Sequence, residues 1–246
     1  MQSQIVVPDI GGKHNQDLIE SAKRLDISQS YKDLSTIIIC PTRGVIPAKI
    51  VQAWMGLMRP MNQKVIGPLF AIGLEVGDAY NQLIQMILAN PELSKWKYIL
   101  TIEEDNAPPA DGLLKLYESI EGKIDGHKYD VVQGIYWTKG EGGQPMIYGN
   151  PQEMPKNFIP QMPIPETVMP ANGLGMGFNL WRLDLFKDKN LRQPWFKTLQ
   201  EVNQNGASAY TQDLYFFEDA GKNGYKFACD TRVKVGHYDL QNDITW

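Results

Sequence analysis

The chain has 246 residues, with 24 basic and 28 acidic side chains for a net charge of −4, and 43% hydrophobic against 21% charged residues, which suits one large or two small globular domains. That composition excludes collagenous, disordered and disulfide-scaffold classes. The mildly acidic balance, without long runs of Lys or Arg, also excludes a broad basic face for DNA or anionic membrane.

Residues 1–34 are polar after a short IVVPDIGG segment, with a helix expected over Asp17–Leu25, and they read as an arm or lid. The β-branched run Thr36–Cys40 predicts a strand buried on both faces, as in a parallel sheet, stopping at Pro41-Thr42-Arg43-Gly44. Helical spacing over Pro47–Met58 and a second strand over Val65–Ile72 complete a βαβ unit. From Asp78, apolar residues recur at three- and four-residue intervals until Asn90-Pro91 ends the helix. Lys97–Ile102 is the next strand, and it delivers Glu103-Glu104-Asp105-Asn106 before Pro108-Pro109 opens a helix carrying Leu113, Leu114, Leu116, Tyr117 and Ile120. In open α/β sheets, loops leaving the carboxyl ends of strands converge on the ligand crevice, so this acidic cluster stands where ligands bind.

Tyr129–Trp137 is a further strand. Residues 138–172 then hold seven of the chain's 16 prolines and no sustained periodicity, the mark of a long loop covering a site. Met176–Trp181 restores order, Asp184–Phe186 begins a short helix, and Thr211–Asn223 is a helix that Gly224 suits as a cap. Alternation from Phe227 to Val235 makes a half-buried strand ending at Gly236-His237. Cys40 and Cys229 lie within strand-like runs as small buried hydrophobes. With no basic leader and no stretch of about 18 apolar residues, the chain reads as cytoplasmic and without a transmembrane anchor.

Three features carry the chemistry, and each has a structural reading beside the functional one. Successive carboxylates repel unless water or a divalent cation relieves them, and Glu103 and Asp105, two apart, point the same way along an extended loop. His237 at a late strand end is a hydrogen-bonder or a metal ligand. Asp213 at a helix start is a cap or a general base. Gly173-Leu174-Gly175-Met176-Gly177 does not follow the first strand or open a helix, so it is no dinucleotide fingerprint; its glycines mark backbone that approaches a ligand or another strand. Serine- and cysteine-nucleophile motifs and phosphate loops are absent.

Taken in order over about residues 36–239, these pieces resemble nucleotide-sugar glycosyltransferases of the GT-A fold, family 2 type. PTRG is similar to that family's opening nucleotide loop, and VGDAYN to its A-x-A-R-N helix start, with Tyr80 where Arg is usual. LTIEEDNAPP resembles the strand and DxD motif, here ExD, the segment 171–182 resembles the glycine-rich stretch, and TQDLYFFEDAGKNGYKFACDTRVKVGH resembles the terminal G-E-D…H pattern, with Gln212 replacing Glu.

The resemblance implies a single α/β domain over residues 35–240, a Rossmann-like, mixed and mainly parallel sheet flanked by helices, with a nucleotide half (35–137), an acceptor half (138–240) and a tail at 241–246. It implies Mn²⁺ or Mg²⁺ on Asp105 and His237 with Glu103 assisting, Asp213 as base, and Pro41, Thr42, Arg43, Asp78, Asn81 and Glu104 around the nucleotide. Trp137, Gly175, Met176, Gly177 and Gln212 would line the sugar and acceptor side. The partners are then a nucleotide-sugar donor and an acceptor glycan, protein or modified nucleic-acid base. The implied reaction is inverting sugar transfer; nucleotidyl transfer, or nucleotide or glycan binding without catalysis, are the alternatives.

Overall fold

A seven-stranded sheet organises the chain, and the computed structural model describes residues 18–203 and 206–246 of it. The IVVPDIGG segment and Asp17 lie outside the described residues. The first described element, helix α1 (Leu18–Ser28), packs on a later helix, and the peptide then enters β1 (Thr36–Thr42), every residue of which is buried. β1 lies between two parallel neighbours, and so a β-branched run suits it on both faces. Helix α2 (Ala48–Met55) leads to the edge strand β2 (Val65–Ile72), whose register with β1 shifts at Gly67. Gly67 has φ +102°, and a Cβ there would lie 2.4 Å from the Ile38 carbonyl oxygen, so glycine is required.

Helix α3 (Val76–Ala89) returns to β3 (Tyr98–Ile102), followed by the two-residue strand β4 (Asn106–Ala107), helix α4 (Gly112–Ile120) and β5 (Val131–Ile135). The proline-rich stretch is not wholly irregular: β6 (Ile147–Tyr148) and β7 (Val168–Ala171) form within it. Then come β8 (Gly173–Leu174), β9 (Phe178–Arg182), a 3₁₀ turn over Leu183–Lys187, and a hairpin of β10 (Leu199–Asn203) and β11 (Gly206–Tyr210) that periodicity does not announce. Helix α5 (Gln212–Lys222), β12 (Phe227–Lys234), β13 (Gly236–Asp239) and β14 (Ile244–Thr245) complete the fold.

The sheet order is β2-β1-β3-β9-β5-β12-β7, with β9 and β7 running against the other strands. Successive side chains of a strand point to opposite faces. Ile37 and Ile39 accordingly join α3 and α5 in one core, while Ile38 and Cys40 join α4 in the other. The first core is dominated by aromatic rings: Trp181 stacks on Phe217 at 5.5 Å and meets Phe216 edge-on at 5.4 Å, which fixes α5 against the sheet. Both cysteines are fully buried, as expected of small hydrophobes. No helix among the described residues is long and apolar enough to cross a membrane.

Candidate active site at the carboxyl edge

β1, β3, β5 and β12 all end at one edge of the sheet, and β9 begins there. The loops that leave them carry most of the residues singled out by sequence. β13 pairs with β4, placing His237 opposite Asn106, and the Tyr238 amide donates to the Asp105 carbonyl at 2.7 Å. This small antiparallel patch is what joins the last metal-ligand candidate to the acidic loop. Residues 241–246 belong to it: β14 pairs with β13, and the Trp246 amide donates to the His237 carbonyl at 3.0 Å.

The three carboxyls of the loop have different fates. Glu104 is buried and accepts from the Thr42 hydroxyl at 2.5 Å, the Arg43 amide at 2.8 Å and the Arg43 Nε at 2.5 Å. Burial would raise its pKa, but these donors outweigh it and hold the carboxyl below the usual range. Glu104 thereby fixes the Pro41–Gly44 loop. Glu103 has one partner, the hydroxyl of fully buried Tyr80 at 3.2 Å, and its carboxyl is pushed up to about 8 by burial, then by Asp105 and Asp213. Asp105 also meets a burial cost, yet His237 and Lys139 hold it below its ordinary value.

His237 Nδ1 lies 2.7 Å from the Trp137 carbonyl oxygen. A carbonyl only accepts, so Nδ1 carries a proton, and Nε2 faces Asp105 Oδ2, 3.6 Å away. That is how a metal-ligating histidine is usually oriented, with its second nitrogen tied to a backbone carbonyl. With a cation between them, Nε2 would release its proton and present its lone pair beside the Asp105 oxygen. Among the described residues no group of three or more His, Cys, Asp or Glu side chains could hold a metal ion alone. One carboxylate and one imidazole therefore suit a divalent cation that takes its other ligands from water and phosphate oxygens.

Asp213 is buried in the first turn of α5, with Oδ1 accepting from the Leu214 amide at 2.9 Å. Burial raises its pKa against the opposing Thr211 and backbone hydrogen bonds. Its charge also acts on Glu103, Tyr136 and Tyr148. Next to it, Gln212 accepts from the Thr198 hydroxyl at 3.4 Å, and that hydroxyl also reaches Glu75, which caps α3 through the Asp78 amide. The starts of α3 and α5 thus meet.

Pro41, Thr42, Arg43, Glu103, Glu104 and Asp105 line a cavity of about 290 Å³, together with Leu74, Val76 and Lys139. Other expected residues stand apart from it. Asp78 is exposed on the first turn of α3. Asn81 is buried, and its amide is used on both sides by the Phe196 backbone, at 2.7 and 3.1 Å. Gly175, Met176 and Gly177 are buried, and their backbone approaches other strands: a Cβ at Gly175 would lie 2.2 Å from Tyr136 Oη, and one at Gly177 would lie 2.6 Å from Asn106 Oδ1. Trp137 lines a second cavity of about 420 Å³ with Pro163, Pro165 and Trp246, and its carbonyl links that cavity to His237.

Sequence reasoning passes over Lys139, whose ammonium lies 2.5 Å from Asp105 Oδ2. Its signal is positional, since it is the one basic residue of the turn that leaves β5 at the ligand-bearing edge. Tyr136, whose ring meets His237 edge-on at 5.4 Å and whose hydroxyl accepts from the Gly177 amide, is the other residue missed.

No family model and no curated protein matches the sequence. Solved structures share its fold, among them the following two. A197 from STIV superimposes with a TM-score of 0.57 over 86% of this chain and 93% of its own, at 16% identity. GalNAc-T7, solved with UDP, GalNAc and Mn²⁺, superimposes with a TM-score of 0.54 over 84% of this chain at 9% identity. The match covers 44% of GalNAc-T7, so the chain spans less than half of that protein's length. The fold is Rossmann-like and of the GT-A type, a mixed, mainly parallel sheet flanked by helices.

Proposed function

We propose that the chain is a metal-dependent glycosyltransferase of family 2 type that moves a sugar from a nucleoside-diphosphate donor to an acceptor hydroxyl, in the cytoplasm, with inversion. The observation that carries this reading is the pairing of β13 with β4, which sets His237 Nε2 against Asp105 Oδ2 beside a cavity lined by the Pro41–Arg43 loop. GalNAc-T7, of like fold, binds UDP and Mn²⁺, and this supports the same ligand chemistry here.

Asp105 and His237 would hold Mn²⁺ or Mg²⁺, with Glu103 reaching it through water. Bound there, the ion supplies Lewis-acid stabilisation to a departing diphosphate. Pro41, Thr42 and Arg43 position the nucleotide, and the positive end of α3, whose Val76 lines the cavity, favours phosphate. Asp213 is the base: its pKa is raised by burial, which brings a carboxylate nearer the range suited to taking a proton at neutral pH. It accepts the proton of the acceptor hydroxyl as that oxygen attacks the anomeric carbon opposite the leaving diphosphate. The acceptor, a glycan, protein or modified nucleic-acid base, lies against Trp137 and the prolines of the second cavity.

The test is a panel of nucleotide sugars with Mn²⁺, monitored for nucleoside diphosphate with and without acceptors. Release from at least one donor is expected. Failure to bind or turn over any donor rejects the proposal, and pyrophosphate released from a nucleoside triphosphate points to nucleotidyl transfer instead.

A further inference from the structure

We propose that Lys139 is a built-in cation of the acidic site, which neutralises Asp105 in the ligand-free chain, yields it to a divalent cation and then serves the donor diphosphate. The inference rests on the metal and donor reading above and names a diphosphate-binding residue within it.

Lys139 sits on a tight turn between Trp137 and Pro145, which bridge antiparallel to each other. The Thr138 amide donates to the Gln144 carbonyl and the Gln144 amide to the Thr138 hydroxyl, both at 2.9 Å. Gly140 and Gly142 adopt φ of +100° and +75° within this turn. A backbone so tied fixes where the lysine starts, while its four-carbon stem leaves the ammonium free to move.

Two cations line the acidic cavity, Arg43 and Lys139. Arg43 already meets the charge of Glu104, to which its Nε and its amide both donate. Lys139 instead pairs with Asp105 Oδ2 at 2.5 Å, the same oxygen that His237 Nε2 faces at 3.6 Å. A divalent cation coordinated by that oxygen and that nitrogen takes the lone pairs the ammonium uses, and repels it at close range. The displaced ammonium stays within a cavity whose other walls are the Pro41–Arg43 loop and the start of α3. A diphosphate added to Asp105 outweighs the charge of one divalent ion, and a second cation within reach offsets the remainder. Lysine fits this part better than arginine, because a compact ammonium on a flexible stem exchanges partners without a planar fork to re-align.

The test needs no turnover. Mn²⁺ binding to wild type, Lys139→Met and Asp105→Ala is measured by water-proton relaxation without nucleotide, and UDP binding is then measured by calorimetry at saturating Mn²⁺. Lys139→Met should bind Mn²⁺ about three- to tenfold more tightly and UDP about tenfold more weakly, the latter being the loss of one charge-assisted hydrogen bond. Lys139→Arg should keep most of the UDP affinity, and Asp105→Ala should lose Mn²⁺. Equal or weaker Mn²⁺ binding by Lys139→Met overturns the inference and leaves the metal reading standing. Unchanged UDP affinity overturns the phosphate role. Mn²⁺ binding by neither wild type nor Lys139→Met overturns this inference and the metal reading together.

Discussion

Two clusters of carboxylates share this chain, one along α4 and one at the carboxyl edge of β3, and they differ in how their charge is met. Along α4, Asp111 pairs with Arg24 and Lys115, each at 3.1 Å, and Glu118 pairs with Arg24 and Arg232. Glu121 pairs with Lys97 and Arg182, and fully buried Asp230 pairs with Arg232 at 2.7 Å and accepts from the Ser119 hydroxyl. Every acid there has a cation. At the edge, Glu103, Glu104, Asp105 and Asp213 share Arg43 and Lys139. The two carboxyls left over, Glu103 and Asp213, are the two whose pKa is raised. Matched charge makes the first cluster part of the scaffold, whereas the second leaves two acids without a paired cation, to be met by a proton or by a bound cation.

The sharpest separation should come from Asp213→Asn. Losing a positioned base costs about 10²–10⁴-fold in transfer rate. Donor binding, read by calorimetry, should stay within about twofold if Asp213 acts only as the base. Thermal stability should hold or rise, because a buried carboxyl with a raised pKa gives way to a neutral amide of like shape. Arg232→Ala should do the reverse. It leaves Asp230 buried without its cation, which typically costs about 3–5 kcal/mol. Urea unfolding should show that loss while the folded fraction binds Mn²⁺ as wild type does. If Arg232→Ala weakens Mn²⁺ binding or Asp213→Asn unfolds the chain, the two clusters are not separate in function.

Sequence periodicity reaches one of these clusters and not the other. β1 and α3 are legible because a parallel inner strand and an amphipathic helix write their environment into consecutive residues. The acidic loop and His237 are legible because each follows a strand and thus falls at the ligand-bearing edge. Contacts between distant residues leave no such trace. Lys139 meets Asp105 only because the β5 turn folds over the loop, and Asn81 meets Phe196 across 115 positions. The glycines at 175 and 177 read as a turn, or as backbone close to a ligand or another strand, until Tyr136 and Asn106 occupy the space a Cβ would need. The α4 network is invisible for the same reason: Arg232 and Glu118 are 114 residues apart.

Within the edge cluster, Glu104 is held by its donors as the α4 acids are, and Glu104→Gln should show an intermediate result. It weakens the charge-assisted hydrogen bonds from Thr42 and Arg43, with an expected loss of about 1.5–3 kcal/mol by urea unfolding. Nucleotide binding should weaken with it, since the Pro41–Gly44 loop loses its anchor, while Mn²⁺ binding without nucleotide should change little. A loss of Mn²⁺ binding equal to that of Asp105→Ala would make Glu104 a ligand and not an anchor.

Glu103 gives the smallest and most specific signal, a dependence of stability on pH. Its carboxyl is raised from 4.5 to about 8, first by burial and then by Asp105. Between those values the folded chain holds a proton that the unfolded chain releases, so this group's contribution is fully present below pH 4.5 and is lost as pH rises through about 8. Stability measured by urea unfolding at pH 5, 6.5 and 8 should therefore fall across the series, and Glu103→Gln, which carries no titrating proton, should flatten the fall. Saturating Mn²⁺ should flatten it too, because a cation beside Asp105 favours the ionised form of Glu103 in the folded chain. No α4 acid is expected to do this. Glu121, lowered to about 2 by Tyr98, Arg182 and Lys97 against the cost of its burial, contributes stability that is complete above its unfolded value of about 4.5 and is lost only as pH falls toward 2. A pH series that falls toward alkaline values in wild type and levels in Glu103→Gln would thus assign the slope to the cluster whose charge the chain leaves unmatched.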